Sequence, residues 1–299
     1  MPPLFCDTDL ARRIERAETA FITAGNRAAQ RRTGGAGFLL PVACGVASFA
    51  EPDSPWNKVA GLGFAGLPAE AELADVERAF ADRGAQVQVE LSNLADPAVG
   101  DLLTGRGYRL ASYENVLGRP ITGDAEPVRP PGVEVRPSGD EELDIWLGVV
   151  LDAVAHPDTE GLPWPDAFPR GIVENAERDL AAAGARRYLA LVDGVPAGGA
   201  SMHVMDGIAQ FSAGTAPAFR RRGVQSALLA VRLADAATAG CDLAAVTVQP
   251  GSPSQRNVQR RGFDLLYTRA VLVRVITAAG WRDARPESAS VPFQGGRSQ

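Results

Sequence analysis

Cysteine, histidine and lysine are all scarce in this chain of 299 residues, and each scarcity excludes something. The three cysteines, Cys6, Cys44 and Cys241, are odd in number, far apart and without a CxxC pair. Neither a disulfide framework nor a metal site is therefore expected. The two histidines, His156 and His203, leave little imidazole for proton transfer. Lys58 is the single lysine among 30 basic residues, which fits the codon usage of a GC-rich genome and nearly excludes a catalytic lysine. Nowhere are there the ~18 consecutive apolar residues of a membrane span, and the opening MPPLFCDTDLARRIERAE holds no apolar run of signal-peptide length. The expectation is a soluble, reduced, cytoplasmic protein. A net charge of −6 argues against a nucleic-acid binder held by bulk electrostatics.

What the chain does have is enough apolar residue, 45 %, for two cores, and a length that suits two domains better than one. Gly118 to Gly132 (GRPITGDAEPVRPPG) carries four prolines and reads as a connection. The segment RGYRLASYENVLGRPI (106–121) aligns without gaps on RGFDLLYTRAVLVRVI (261–276), with seven of sixteen positions identical at an offset of 155 residues. The order of elements upstream also repeats. In the first half Lys58 to Phe64 reads as a strand, Ala69 to Arg83 as a helix on Leu73, Val76 and Phe80, and Ala85 to Leu91 as a strand. In the second half Ile208 to Ala213, Gly223 to Ala239 and Leu243 to Val248 take the same roles. Asp96-Pro97 and Ser252-Pro253 then open a short helix in each half. The reading is a tandem repeat: residues 1–120, a linker at 121–132, a second domain at 133–279 and a tail at 280–299. The fold class is α/β with a mixed sheet.

The segment TAPAFRRRGVQSALL (215–229) stands between a strand and an amphipathic helix. Such a loop presents unpaired N–H groups and the positive end of the helix dipole, and three arginines add full charges, so its natural guest is a phosphate or pyrophosphate. The run resembles the acetyl-CoA pyrophosphate loop of the GNAT superfamily of N-acetyltransferases, whose pattern is Gln/Arg-x-x-Gly-x-Gly/Ala. Arg220-x-x-Gly223-x-Gln225 matches two of its three specified positions, and Gln225 departs from the small residue usual there. PGSPSQRNVQRRGF (250–263) resembles the family's final motif, and the likeness extends over about residues 133–276.

The resemblance implies acetyl-CoA as cofactor, held by Arg220, Arg221, Arg222, Gly223, Val224, Gln225 and Ser226. Ser254 and Asn257 would meet the pantetheine arm, and a main-chain donor near Gly214 or Thr215 would meet the thioester oxygen. It implies direct attack by a small-molecule amine. The position of the usual tyrosine acid holds Val258, and a frequent glutamate base position holds Gln210. His203 is then the candidate base, with Tyr267 as a substitute acid. Glu160, Trp164, Asp166 and Phe168, in the loop that lines the acceptor pocket of such folds, are candidate substrate contacts. The offset sets Arg220 and Gly223 opposite Ala65 and Pro68, so the first half reads as a degenerate copy without CoA binding. The alternative is a CoA-binding sensor without turnover. No nucleic-acid or membrane partner is expected, and the protein would be a monomer or homodimer.

Overall fold

The computed structural model describes residues 3–122, 130–157 and 168–275. The first half opens on a long helix, α1 (Thr8–Thr33). Its N-cap Asp7 accepts from the Leu10 N–H at 2.9 Å, and Gly34 closes it with φ 71°. Then follow β1 (Phe38–Val42), β2 (Gly45–Phe49), β3 (Lys58–Ala60), α2 (Glu70–Ala81), β4 (Val87–Ser92), α3 (Pro97–Gly105) and β5 (Arg109–Pro120). The second half runs β6 (Val133–Ser138), α4 (Leu143–Ala155), α5 (Arg170–Ala182), β7 (Arg186–Val192), β8 (Val195–Met205), β9 (Ile208–Thr215), α6 (Val224–Thr238), β10 (Leu243–Val248), α7 (Pro253–Gln259) and β11 (Asp264–Arg274).

The eleven strands of the described residues share one sheet, ordered β1-β2-β3-β4-β11-β5-β10-β9-β8-β7-β6. Leaving out β6, this order has a twofold regularity. Strands β1 to β4 pair antiparallel, antiparallel and parallel, and β7 to β10 do the same. The last strand of each half crosses to the other. β5 pairs with β10, with Leu117 opposite Val246, and β11 pairs with β4, with Ala270 opposite Leu91. The two exchanged strands also pair with each other at the centre.

The two aligned segments are these exchanged strands with the turns before them. Gly107 and Gly262 take φ 86° and 79°, and the following Tyr108 and Phe263 are both buried. The offset of 155 holds at the starts of β5 and β11 but is 154 at α2 and α6, so the residue that caps α2 opposite Gly223 is Ala69 rather than Pro68. The strand expected over Lys58 to Phe64 ends at Ala60. Gly61 turns the chain at φ 81°, and a Cβ there would stand 2.6 Å from Thr19 Cγ2.

Each half has its own core. One joins Leu73, Val76 and Phe80 of α2 to Val87, Val89 and Leu91 of β4. The other joins Val224, Leu228 and Leu229 of α6 to Ala209, Phe211 and Val246. A third cluster, Ala11, Ile14 and Ala17 of α1 with Val116, Ile208, Ala245 and Tyr267, lies where the halves meet. Truncating a side chain as enclosed as Leu228 costs about 2–5 kcal/mol. No helix among the described residues is long and apolar enough to cross a membrane.

Candidate active site

Strand alternation and one interrupted ladder build the site. β9 and β10 are bonded in parallel only through Ile208, Ala209 and Gln210 opposite Leu243, Ala244 and Ala245. Beyond Gln210 the strands part, although β9 continues to Thr215 and β10 to Val248. Main-chain groups of β9 that face this gap have no ladder partner in β10. In the first half β3 stops after three residues, with Val59 and Ala60 opposite Val89 and Glu90 of β4.

A cleft of about 730 Å³ runs from the parting strands to the start of α6. Its wall includes Gly214 and Thr215 of β9, Arg220, Arg221, Gly223, Val224, Gln225 and Ser226 of the following loop and helix, and Ser254 and Asn257 of α7. α6 starts without a capping side chain or an acidic residue in its first turn. Arg221 and Gly223 both hold left-handed backbone, φ 62° and 84°, which curls successive N–H groups into an anion-binding concavity. For a non-glycine residue such as Arg221 that conformation costs about 1–2 kcal/mol. The Thr215 hydroxyl is buried with no hydrogen-bond partner. Arg220 reaches back to the His156 carbonyl at the end of α4 and ties the loop to that helix.

At its inner end the cleft adjoins a second cavity of about 260 Å³, the two sharing Ala213, Gln225 and Ser254 in their walls. Ala209 and Phe211 face α6 whereas Ile208 and Gln210 face α1, and the cavity draws on both sets where the strands separate. On one side Arg232 gives N–H groups to the carbonyls of Leu228, Ser201 and Ser212 at 2.9–3.2 Å. Burial pulls its guanidinium down to about 9, so it stays a cation at neutral pH. On the other side stand His203, Gln210 and, from α1, Ile14, Glu18 and Phe21. Glu18 accepts from Gln210 Nε2 at 2.9 Å. Burial draws His203 below the usual imidazole range, with a smaller opposing effect from Gln210, so the ring is neutral and able to take a proton. Its Nδ1 is buried without a partner, and Phe21 meets the ring edge-on at 5.2 Å.

Behind Glu18 lies a buried charge cluster where the halves join. Arg269 of β11 bonds Glu15 at 2.8 Å and lies 3.6, 3.8 and 3.9 Å from Glu18, Glu90 and Glu114. Lys58 pairs with Glu90. Burial pushes Glu18 up, and burial with the neighbouring Glu90 pushes Glu114 up to about 7. Burial would also raise Glu90, but Lys58 and Arg269 hold it below the usual carboxylate range.

Residues 155–263 match the Acetyltransferase (GNAT) family. Over that stretch, about a third of the chain, the sequence is that of a GNAT acetyltransferase domain. Among solved structures, a GCN5-related N-acetyltransferase from Kribbella flavida is similar over 83 % of this chain and 95 % of its own, at 21 % identity and a TM-score of 0.60. A tandem GNAT protein from the clavulanic acid biosynthesis pathway matches at 0.54, with 13 % identity over 77 % of this chain and 78 % of that one. A GCN5-related N-acetyltransferase from Sphaerobacter thermophilus matches at 0.52, with 18 % identity over 73 % and 71 %. No curated protein matches the sequence. The structural likenesses show the fold, and the family match over residues 155–263 supports acetyl transfer in general.

Of the residues expected to hold the cofactor, all but one line the 730 Å³ cleft. Arg222 is the exception: it turns outward to Asp193 at 3.1 Å and lies over the Phe219 ring. Val258, the position of the tyrosine acid in the resemblance, forms part of the inner cavity's wall, as does His203. Tyr267 does not serve as expected. Its hydroxyl donates to Glu15 at 2.7 Å in the interior, burial and Glu15 hold it protonated, and it lines neither cavity. Phe168 packs against Trp146, Leu147 and Val173, the α4–α5 cluster, and also lies outside both walls. Glu160, Trp164 and Asp166 fall outside the described residues. The sequence reading missed Arg256 of α7 and Arg260 just after it, which add two more arginines to the cleft, and the α1 residues Glu18 and Phe21. Both arginines stand in the very motif read for Ser254 and Asn257.

Proposed function

We propose that the chain is an acetyl-CoA-dependent N-acetyltransferase whose second half, residues 133–279, holds the thioester donor and whose acceptor is a small-molecule amine. The observation that carries this reading is the uncapped start of α6, with left-handed Arg221 and Gly223, opening onto a cleft lined by Arg220, Arg221, Arg256 and Arg260. The orphaned Thr215 hydroxyl and the unladdered edge of β9 fit the same guest.

When bound, acetyl-CoA supplies a thioester carbonyl open to direct attack by a neutral amine. The N–H groups of Val224 and Gln225 would hold its pyrophosphate, Ser254 and Asn257 would meet the pantetheine arm, and main-chain donors near Gly214 or Thr215 would orient the thioester oxygen. Fixed donors aimed at a growing negative charge are worth more in the transition state than before it. His203, neutral through burial, takes the proton that the amine must shed. A thiol with a pKa of about 8.5 departs without a dedicated acid, which suits Val258 and the interior placement of Tyr267.

The first half reads as a degenerate copy. Two acidic residues, Glu70 and Glu72, occupy the first turn of α2, and the Glu72 carboxylate accepts from the Ala69 N–H at 2.8 Å. A carboxylate already satisfies that helix start, and its charge repels a phosphate.

The test is incubation of the protein with acetyl-CoA and a panel of amines while free thiol is followed. Amine-dependent thiol release supports acetyl transfer. Calorimetric binding of acetyl-CoA with no thiol release over hours favours the sensor alternative. No binding at all overturns the site.

A further inference from the structure

We infer that Glu18, a residue of the first half, is the group that binds the acceptor's ammonium in the inner cavity, so that acceptors are small amines that enter as cations. Three acceptor side chains meet on the α1 side of this cavity. Glu18 projects into it from α1, and Gln210 and His203 enter from β9 and β8. Because Gln210 gives its amide N–H to Glu18, its Oε1 is the atom left over, and that oxygen is buried without a partner among the described residues. His203 Nδ1 is also buried and unpartnered. An ammonium brings three N–H donors and no acceptor, which matches a carboxylate, an amide oxygen and a neutral ring nitrogen. A hydroxyl brings one donor and leaves two of these groups unsatisfied.

Charge points the same way. Arg269, 3.6 Å from Glu18, is shared with Glu15 at 2.8 Å and lies 3.8 and 3.9 Å from Glu90 and Glu114, while Lys58 pairs with Glu90, so Glu18 has no cation to itself in the cluster. The cation in the cavity wall itself, Arg232, lies on the α6 side with its N–H groups given to three carbonyls. A ligand cation beside Glu18 favours its ionised form, which burial alone opposes. The ammonium then passes one proton to His203 Nδ1 and becomes the neutral amine, and the second proton, shed from nitrogen as the C–N bond forms and the C–S bond breaks, goes to the departing thiolate. The strand position that holds Gln210 lacks a carboxylate of its own, and α1 delivers one to it from the other half.

This inference rests on the acetyl-transfer reading for the acceptor's role, so its test separates the two. The full chain with saturating CoA is titrated calorimetrically with primary amines of up to about a dozen heavy atoms and with their hydroxyl isosteres. Thiol release from acetyl-CoA is followed in parallel. The expected result is that amines bind and the isosteres do not. Glu18→Gln weakens amine binding roughly 10- to 150-fold, the range for a hydrogen bond to a charged group, with the affinity for CoA unchanged. The exchanged pair Glu18→Gln with Gln210→Glu keeps both the hydrogen bond and the charge, and it restores amine binding. Equal binding of amines and isosteres, no amine binding, or an unaltered Glu18→Gln variant overturns the inference. Glu18-dependent binding without thiol release leaves the inference standing and overturns acetyl transfer. Thiol release with wild-type kcat/KM in Glu18→Gln does the reverse.

Discussion

Gly223→Ala separates a loop that is merely exposed from one shaped to grip an anion. At φ 84° an alanine takes on the left-handed penalty of about 1–2 kcal/mol. Its Cβ would also stand 2.6 Å from Cγ and 2.8 Å from Cβ of Pro130, whose ring has no rotamer by which to withdraw. The loop can escape both only by leaving its conformation, which swings the N–H groups of Val224 and Gln225 away from the cleft. Each charge-assisted hydrogen bond lost is worth roughly 1.5–3 kcal/mol, so acetyl-CoA affinity should fall at least tenfold. The melting temperature should drop by a few degrees, at roughly 2–4 °C per kcal/mol for a chain approaching this size. Gly240→Ala is the control. That residue also sits at positive φ, 75°, but with nothing within 4 Å of the added Cβ, and it lies outside the cleft wall. It should lose stability and keep its affinity. If calorimetry gives both variants the wild-type Kd for acetyl-CoA, the assignment of the pyrophosphate to this loop is wrong.

Pro68→Ala and Glu72→Gln in the first half should leave the acetyl-CoA Kd and a stoichiometry of one unchanged; a lowered affinity or a second site would show that α2 is not a spent terminus. Arg256→Ala, in the cleft wall, should weaken acetyl-CoA binding more than Arg222→Ala, whose guanidinium faces Asp193, and the reverse ranking by calorimetry would contradict the geometry. Glu114→Gln tests the buried charge cluster through pH. Its carboxyl is raised from 4.5 to about 7 by burial and then Glu90, so the folded state keeps a proton that the unfolded chain has released. That favours folding at low pH and is lost as pH climbs from about 4.5 to 7, a difference of about 3 kcal/mol at ~1.4 kcal/mol per unit. Thermal melts of the variant and the wild type should therefore coincide near pH 4.5 and separate in the variant's favour near pH 8. Parallel curves across that range would refute the assignment.

The repeat could be read from sequence because its strongest signal, Arg-Gly-aromatic before a strand, marks a place where both halves need the same turn and the same buried ring, Tyr108 and Phe263. The helices on Leu73, Val76 and Phe80 and on Val224, Leu228 and Val231 were equally legible, since large apolar side chains recur at the helical period. The exchange of β5 and β11 was not. Both strands carry similar patterns, and nothing local states which neighbour a strand will find across more than 100 residues. α1 hides for another reason: its inner stripe is made largely of small residues, Ala11, Ala17, Ala28 and Ala29, a weak hydrophobic signal. Glu18 and Glu15 were invisible with it. Tyr267 shows the limit of strand reading, because its partner Glu15 lies 252 positions away and decides whether the hydroxyl meets substrate or the interior.

The most direct measurement is a crystal structure of the full chain grown with saturating CoA. Density for one CoA per chain is expected, with its pyrophosphate on the amides at the start of α6 and its thiol pointing between β9 and β10 toward His203. Density against α2, or an empty cleft with CoA bound elsewhere, would contradict the account.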